Sequence, residues 1–194
     1  GTATAVHYDT RCGWIGMVLV DPQMRRRGIG GALLTQCIGY LQSLGVGTIK
    51  LDATDEGRPV YLRHGFVDEY RTLRYVGELE PAGMGESRVR VKRLNTDRDA
   101  PALAELDAAV FGVPRKNLLD VLFEEQPDRM LVASVDGLVV GYGLARPGRR
   151  HAYVGPVVAT RMAAAKRLVA ALCERLEHHT ILIDTTEVNQ SWCR

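Results

Sequence analysis

The feature that most constrains this 194-residue chain is Trp14–Leu44, WIGMVLVDPQMRRRGIGGALLTQCIGYLQSL. Trp14, Ile15, Met17, Val18, Leu19 and Val20 form a near-continuous apolar run with β-branched members. Such a run predicts a strand covered on both faces. Asp21-Pro22 stops it, because proline has no backbone donor for a ladder. Arg25, Arg26 and Arg27 lead into Gly28-Ile29-Gly30-Gly31, and Leu33, Leu34, Cys37, Ile38, Leu41 and Leu44 then fall at helical spacing. The order is strand, basic glycine loop, amphipathic helix.

That order carries chemistry. Glycines at a helix start let backbone amides crowd around an anion without Cβ clashes. The unpaired amides of the first turn and the positive end of the helix dipole point the same way. Arginines add charge-assisted hydrogen bonds to phosphate. The stretch therefore reads as a pyrophosphate cradle; the plainer reading is a glycine loop that makes a tight strand-to-helix turn. A P-loop would need Lys-Ser/Thr after the last glycine, where Gly31-Ala32 stands. Gly-x-Gly-x-x-Gly does not fit Gly28-Ile29-Gly30-Gly31-Ala32-Leu33.

Arg25-x-x-Gly28-x-Gly30, after a strand ending in Val20-Asp21-Pro22, resembles the acyl-CoA loop of the GNAT superfamily of N-acetyltransferases, Gln/Arg-x-x-Gly-x-Gly/Ala. A second signature follows: in Val60-Tyr61-Leu62-Arg63-His64-Gly65-Phe66, a tyrosine stands one turn before Gly-Phe. Two signatures in this order are far more specific than either alone.

The resemblance implies acetyl-CoA as cosubstrate, with the thioester carbonyl and pantetheine arm meeting backbone groups of Val18, Leu19 and Val20. It places the pyrophosphate on amides from Arg25, Arg26, Arg27, Gly28, Ile29, Gly30 and Gly31. It gives Tyr61 the role of protonating the departing thiolate; a phenol, titrating at about pH 10, is a donor at neutral pH. The alternative is a packing tyrosine on a short helix. For the general base, Asp52 is the candidate, on the strand beside the CoA helix, with Asp55 and Glu56 at that strand's exit. The plainer reading is that these carboxylates cap the next helix. His7 and His64 are candidates by chemistry only.

Read in order, Thr2–Tyr8 is a strand that hairpins through 9–13 into the central one, and Thr48–Thr54 is the next strand, Ile49 and Leu51 facing one way and Lys50 and Asp52 the other. Strand, helix, strand implies a right-handed crossover between parallel strands. A short helix holds Tyr61, and an extended segment to Val76 offers Tyr70, Leu73 and Tyr75 to a core. Residues 81–87, rich in proline and glycine, read as a linker between units at 1–80 and 88–194. After it come a strand at 89–94, a helix capped by Thr96-Asp97 with Leu103, Leu106 and Val110 inward, a helix over 117–125, a hairpin around Asp136-Gly137, a strand at 152–159, a helix over 163–178 with Leu168, Val169, Leu172 and Leu176 on one face, and a strand at 181–185.

The expected fold class is mixed α/β: two tandem GNAT-like units, each short of a full family domain in this chain. The first unit resembles the back part of such a domain and the second, at the level of topology, the front part. Neither missing part is legible here, so a trimmed sequence is the expectation. In the second unit the place of the loop is taken by Val157-Val158-Ala159-Thr160-Arg161-Met162-Ala163-Ala164, without glycine, and this half is expected to be degenerate for CoA.

Composition bounds the rest. At 46% hydrophobic and 25% charged residues the chain reads as an ordinary globular protein. A net charge of +2 gives no argument for nucleic acid, and the basic run Arg146–His151 reads as a solvated hairpin tip. No apolar run suits a membrane helix. Cys12, Cys37, Cys173 and Cys193 have no C-x-x-C spacing, which argues against zinc and, with no leader before the first strand, sets a cytoplasmic expectation. The expected partner is a primary amine on a small molecule; an open sheet edge leaves room for a homodimer. The rival class is a non-catalytic acyl-CoA-binding or regulatory module.

Overall fold

The computed structural model describes residues 1–78, 88–176 and 180–192. The chain divides into two compact units, Gly1–Glu69 and Tyr70–Arg194.

The first unit is a three-stranded sheet with one long helix. Strands β1 (Thr2–His7) and β2 (Cys12–Leu19) form the expected antiparallel hairpin, and β2 pairs in parallel with β3 (Thr48–Leu51). Helix α1 (Ile29–Ser43) makes the crossover, and a short helix α2 (Arg58–Arg63) follows β3. Ile15, Leu34, Leu41 and Val46 form the core, with Ala5, Val18, Cys37, Ile38, Ile49, Leu51, Val60, Tyr61 and Phe66 against it. Ile15 and Val18 can share this core, three positions apart, only because β2 is irregular: Thr2 and Thr4 pair with Leu19 and Gly16, so Met17 and Val18 oppose Ala3 alone. This is a β-bulge, and Met17 takes a left-handed φ of 51° in it. The expectation of a strand covered on both faces is corrected here. The core covers one face, and Met17 and Leu19 are 63% and 55% exposed.

The second unit is a six-stranded sheet in the order β4-β9-β8-β7-β6-β5. Its members are β4 (Thr72–Gly77), β5 (Arg90–Arg93), β6 (Met130–Val135), β7 (Leu138–Arg146), β8 (Ala152–Ala159) and β9 (Ile181–Thr186). Helix α5 (Met162–Cys173) packs on one face through Leu168, Val169 and Leu172. Helices α3 (Thr96–Phe111) and α4 (Lys116–Glu125) pack on the other, over Met130, Val132, Tyr142 and Leu144. The β6–β7 hairpin turns at Asp136-Gly137, both at positive φ (49° and 84°), the geometry a two-residue turn needs.

Several sequence expectations are corrected. Strand β4, read from sequence as the end of a first unit at 1–80, pairs antiparallel with β9 along its whole length and belongs to the second unit. Tyr70, expected in a core, is 47% exposed. The cap of α3 is Asn95, whose side chain accepts from the Arg98 amide. Val110 is 54% exposed, because Leu103 and Leu106 already fill the inward face. Helix α5 stops at Cys173. The linker 81–87 and Cys193 lie outside the described residues.

Candidate functional site

The site is built where β2 outruns its parallel partner. The β2–β3 ladder ends at Ile15↔Leu51, while β2 continues to Leu19. Past that point, around Gly16–Leu19, the edge of β2 that faces β3 has no further ladder partner within the described residues of this unit. Backbone groups in such a stretch need another partner, from water or ligand. The bulge at Met17 turns the strand where the ladder ends, and Thr2 and Thr4 donate their hydroxyls to the Met17 and Gly16 carbonyls at 3.1 and 3.0 Å, fixing the other edge. Val18 and Leu19 therefore stand on the end of β2 beyond the β3 ladder, with Val20 just past it.

The loop that follows is tightly organised. Asp21 accepts from the Gln23 amide and starts a 3-10 turn, Pro22–Met24. Arg25 reaches back to the Val20 carbonyl with Nε (3.3 Å) and across to Glu56 (3.2 Å), so its guanidinium joins the end of β2 to the segment before α2. Arg27 contacts Met24 Sδ. Arg26 adopts a left-handed φ of 61°, uncommon for a residue with a Cβ. Gly28 caps α1 at φ +80°, and a Cβ placed there would meet nothing within 4 Å. Its glycine thus answers to backbone conformation and leaves open space over the helix start. Ala32 N–H donates to Gly28 O at 3.0 Å, the first bond of the helical ladder. The amides of Ile29, Gly30 and Gly31 precede it. With no acidic residue in the first turn, the dipole's positive end is unneutralised by the helix itself.

Tyr61 lies on α2, partly buried. Its ring packs edge-on to Phe66 (centroids 6.3 Å apart) and close over Gly57, whose hypothetical Cβ would sit 3.2 Å from the phenol oxygen. Burial pushes the phenol up, so it holds its proton at neutral pH. Asp52 does not sit on β3, which ends at Leu51; it is exposed in the loop that follows. The shorter strand is the reason: nothing prolongs the β2–β3 ladder beyond Leu51. Glu56 bonds Arg25 rather than capping α2, whose N-cap Gly57 has no side-chain cap bond. His64, a candidate from sequence by chemistry only, has its ring against Gly31 in the first turn of α1.

Among the described residues no group of His, Cys, Asp or Glu could hold a metal ion, and no helix is long and apolar enough to cross a membrane. Cys12, Cys37 and Cys173 are free thiols; burial raises all three.

Two family models match the chain: the acetyltransferase (GNAT) family over residues 1–66 and an acetyltransferase (GNAT) domain over residues 103–194. An uncharacterised N-acetyltransferase of Bacillus subtilis is 28% identical over 164 residues, covering 81% of this chain and 55% of the relative. The holothin acyltransferase of a Pseudoalteromonas species is 26% identical over 186 residues, covering 94% of this chain and 60% of the relative. A solved structure from Pyrococcus horikoshii, described as an acetyltransferase, superposes with a TM-score of 0.74 at 26% identity, over 97% of this chain and 60% of that one. The chain thus spans somewhat over half the length of these relatives.

Proposed function

We propose that this chain, which belongs to the GNAT superfamily of acetyltransferases, carries the acetyl-CoA site of an enzyme that acetylates the primary amine of a small molecule. The observation that carries the reading is the coincidence in one place of an unpaired strand edge, a bulge and an open glycine-capped helix start. A relative named for acylating holothin supports a small-molecule acceptor.

The residues fit the ligand. The amides of Arg26 to Gly31, crowded by the turn at Gly28, would hold the pyrophosphate, with the α1 dipole adding attraction. Arg25 would act mainly by fixing the loop, since its guanidinium already bonds Val20 O and Glu56. The stretch Val18, Leu19 and Val20 beyond the β3 ladder would bond the pantetheine arm as a strand would. When bound, acetyl-CoA supplies the activated acyl group. Tyr61, kept protonated by burial, would donate its proton to the leaving sulfur. Asp52, exposed beyond β3, would take the amine's proton through solvent.

The second reading, a non-catalytic acyl-CoA-binding module, is favoured by one observation. The Tyr61 ring packs against Phe66 and Gly57 as a core side chain does. Thiol release from acetyl-CoA in the presence of amine pools separates the two. Amine-dependent release supports the transferase; CoA binding without release supports the module.

A further inference from the structure

The C-cap of α2, His64, sets an imidazole against the first turn of α1, and its hydrogen bonding decides what that ring can do. His64 Nδ1 lies 2.9 Å from the Val60 carbonyl. A carbonyl only accepts, so Nδ1 carries the hydrogen and donates it. The opposite edge faces α1: a Cβ on Gly31 would sit 3.5 Å from Cε1 and 3.8 Å from Nε2. In the neutral ring Nε2 is therefore an acceptor, set against a helix start whose amides await an anion. A neutral acceptor offers a phosphate nothing; a protonated Nε2 offers a charge-assisted donor.

The elements around the ring bring positive charge to this corner of the unit. The first turn of α1 carries no ionisable side chain and presents its positive dipole end. The loop before it brings Arg25, Arg26 and Arg27, of which Arg25 is paired with Glu56. Helix α2 contributes Arg58, paired with Asp68, and Arg63. Among the described residues no carboxylate forms an ion pair with His64. A diphosphate at the amides of Gly28 to Gly31 reverses this field.

We infer that His64 takes up a proton on Nε2 when the diphosphate of CoA binds, so that affinity for CoA rises as pH falls from about 8 toward about 6. This rests on the cradle reading above and adds to it a proton-linked binding residue. One linked proton changes affinity by at most about tenfold per pH unit.

The test measures CoA binding by calorimetry between about pH 8 and about pH 6, in two buffers of different ionisation enthalpy, for the full chain and for His64→Gln. CoA's own phosphate titrates identically in both and cancels. The wild type should gain severalfold more affinity than His64→Gln over this span and should take up more protons on binding. His64→Arg, which keeps a permanent charge there, should bind tightly with the pH dependence of the protein lost; it also serves if His64→Gln does not fold. Parallel profiles for wild type and either variant overturn the inference and leave the cradle standing. Failure of CoA to bind the wild type at any pH overturns both.

Discussion

Two strand-to-helix junctions in this chain share a topology and differ in chemistry. Strand β2 runs into α1 and β8 into α5, and each strand pairs in parallel with the strand after its helix. In both cases the ladder is short. β2–β3 ends at Ile15↔Leu51, and β8–β9 covers Ala152↔Ile181 and Tyr153↔Leu182 while β8 continues to Ala159. The parting of parallel strands is thus common to both units. The cradle is not. In the first unit residues 20–28 intervene, with a 3-10 turn and Gly28 at φ +80°. In the second only Thr160 and Arg161 intervene. Thr160 is tied to the Val140 carbonyl through its amide and hydroxyl, and Arg161 caps α5 in an extended conformation. Topology opens a strand edge; it takes a glycine loop to place amides where a diphosphate could lie.

The largest expected effect follows from that difference. Gly28→Glu puts a Cβ at a left-handed φ and a negative charge into the open space at the helix start, and should weaken CoA binding about a hundredfold or more by calorimetry. Thr160→Ala, the counterpart change in the second junction, should leave CoA affinity unaltered. Equal losses from both would erase the comparison.

The second unit should answer instead through stability. Asp107 is fully buried on α3 and accepts from Arg115 Nε and Nη2 and from the Tyr142 hydroxyl, while the Arg115 guanidinium stacks 3.8 Å from the Phe111 ring centre. Asp107→Ala leaves that arginine and phenol without their acceptor and should cost about 3 kcal/mol in denaturant unfolding. CoA affinity of the folded protein should not change.

Next comes Tyr61→Phe, expected to lower turnover about a hundredfold with CoA affinity retained, the size typical of losing a general acid. Unchanged turnover would return Tyr61 to the core as a packing residue.

Much of this was legible in the sequence because it is local. The bulk of Trp14–Leu44, the Asp136-Gly137 turn and the α5 face at Leu168, Val169 and Leu172 follow from periodicity and turn chemistry, which neighbours in the chain dictate. What was not legible depends on pairing between distant segments. That β4 completes a sheet with β9 is decided by residues more than a hundred positions away. The bulge at Met17 is visible only against the register with β1, and the end of β3 at Leu51, which moves Asp52 off the strand, only against β2. In the candidate site, Gly28 and the loop arginines could be named from the motif. Arg25's bonds to Val20 and Glu56, and the place of His64, needed the fold.

The smallest expected effect concerns pH. Asp99, almost fully buried, is held by Arg98, then by the Asn95 amide and Lys92, to about 2 against an ordinary 3.8. Its folded value is depressed, so its contribution is present above the unfolded value and is lost as pH falls from about 4 toward about 2. Asp99→Asn should therefore cost about 2 kcal/mol at neutral pH, and the difference from wild type should shrink across that acid window. A constant difference at all pH values would assign the loss to packing.

On the function proposed above, one junction binds the acyl donor and the other does not. Calorimetric titration of the full chain with CoA tests it most directly. Binding should saturate at one CoA per chain; saturation at two, or no binding heat at any concentration, would overturn it.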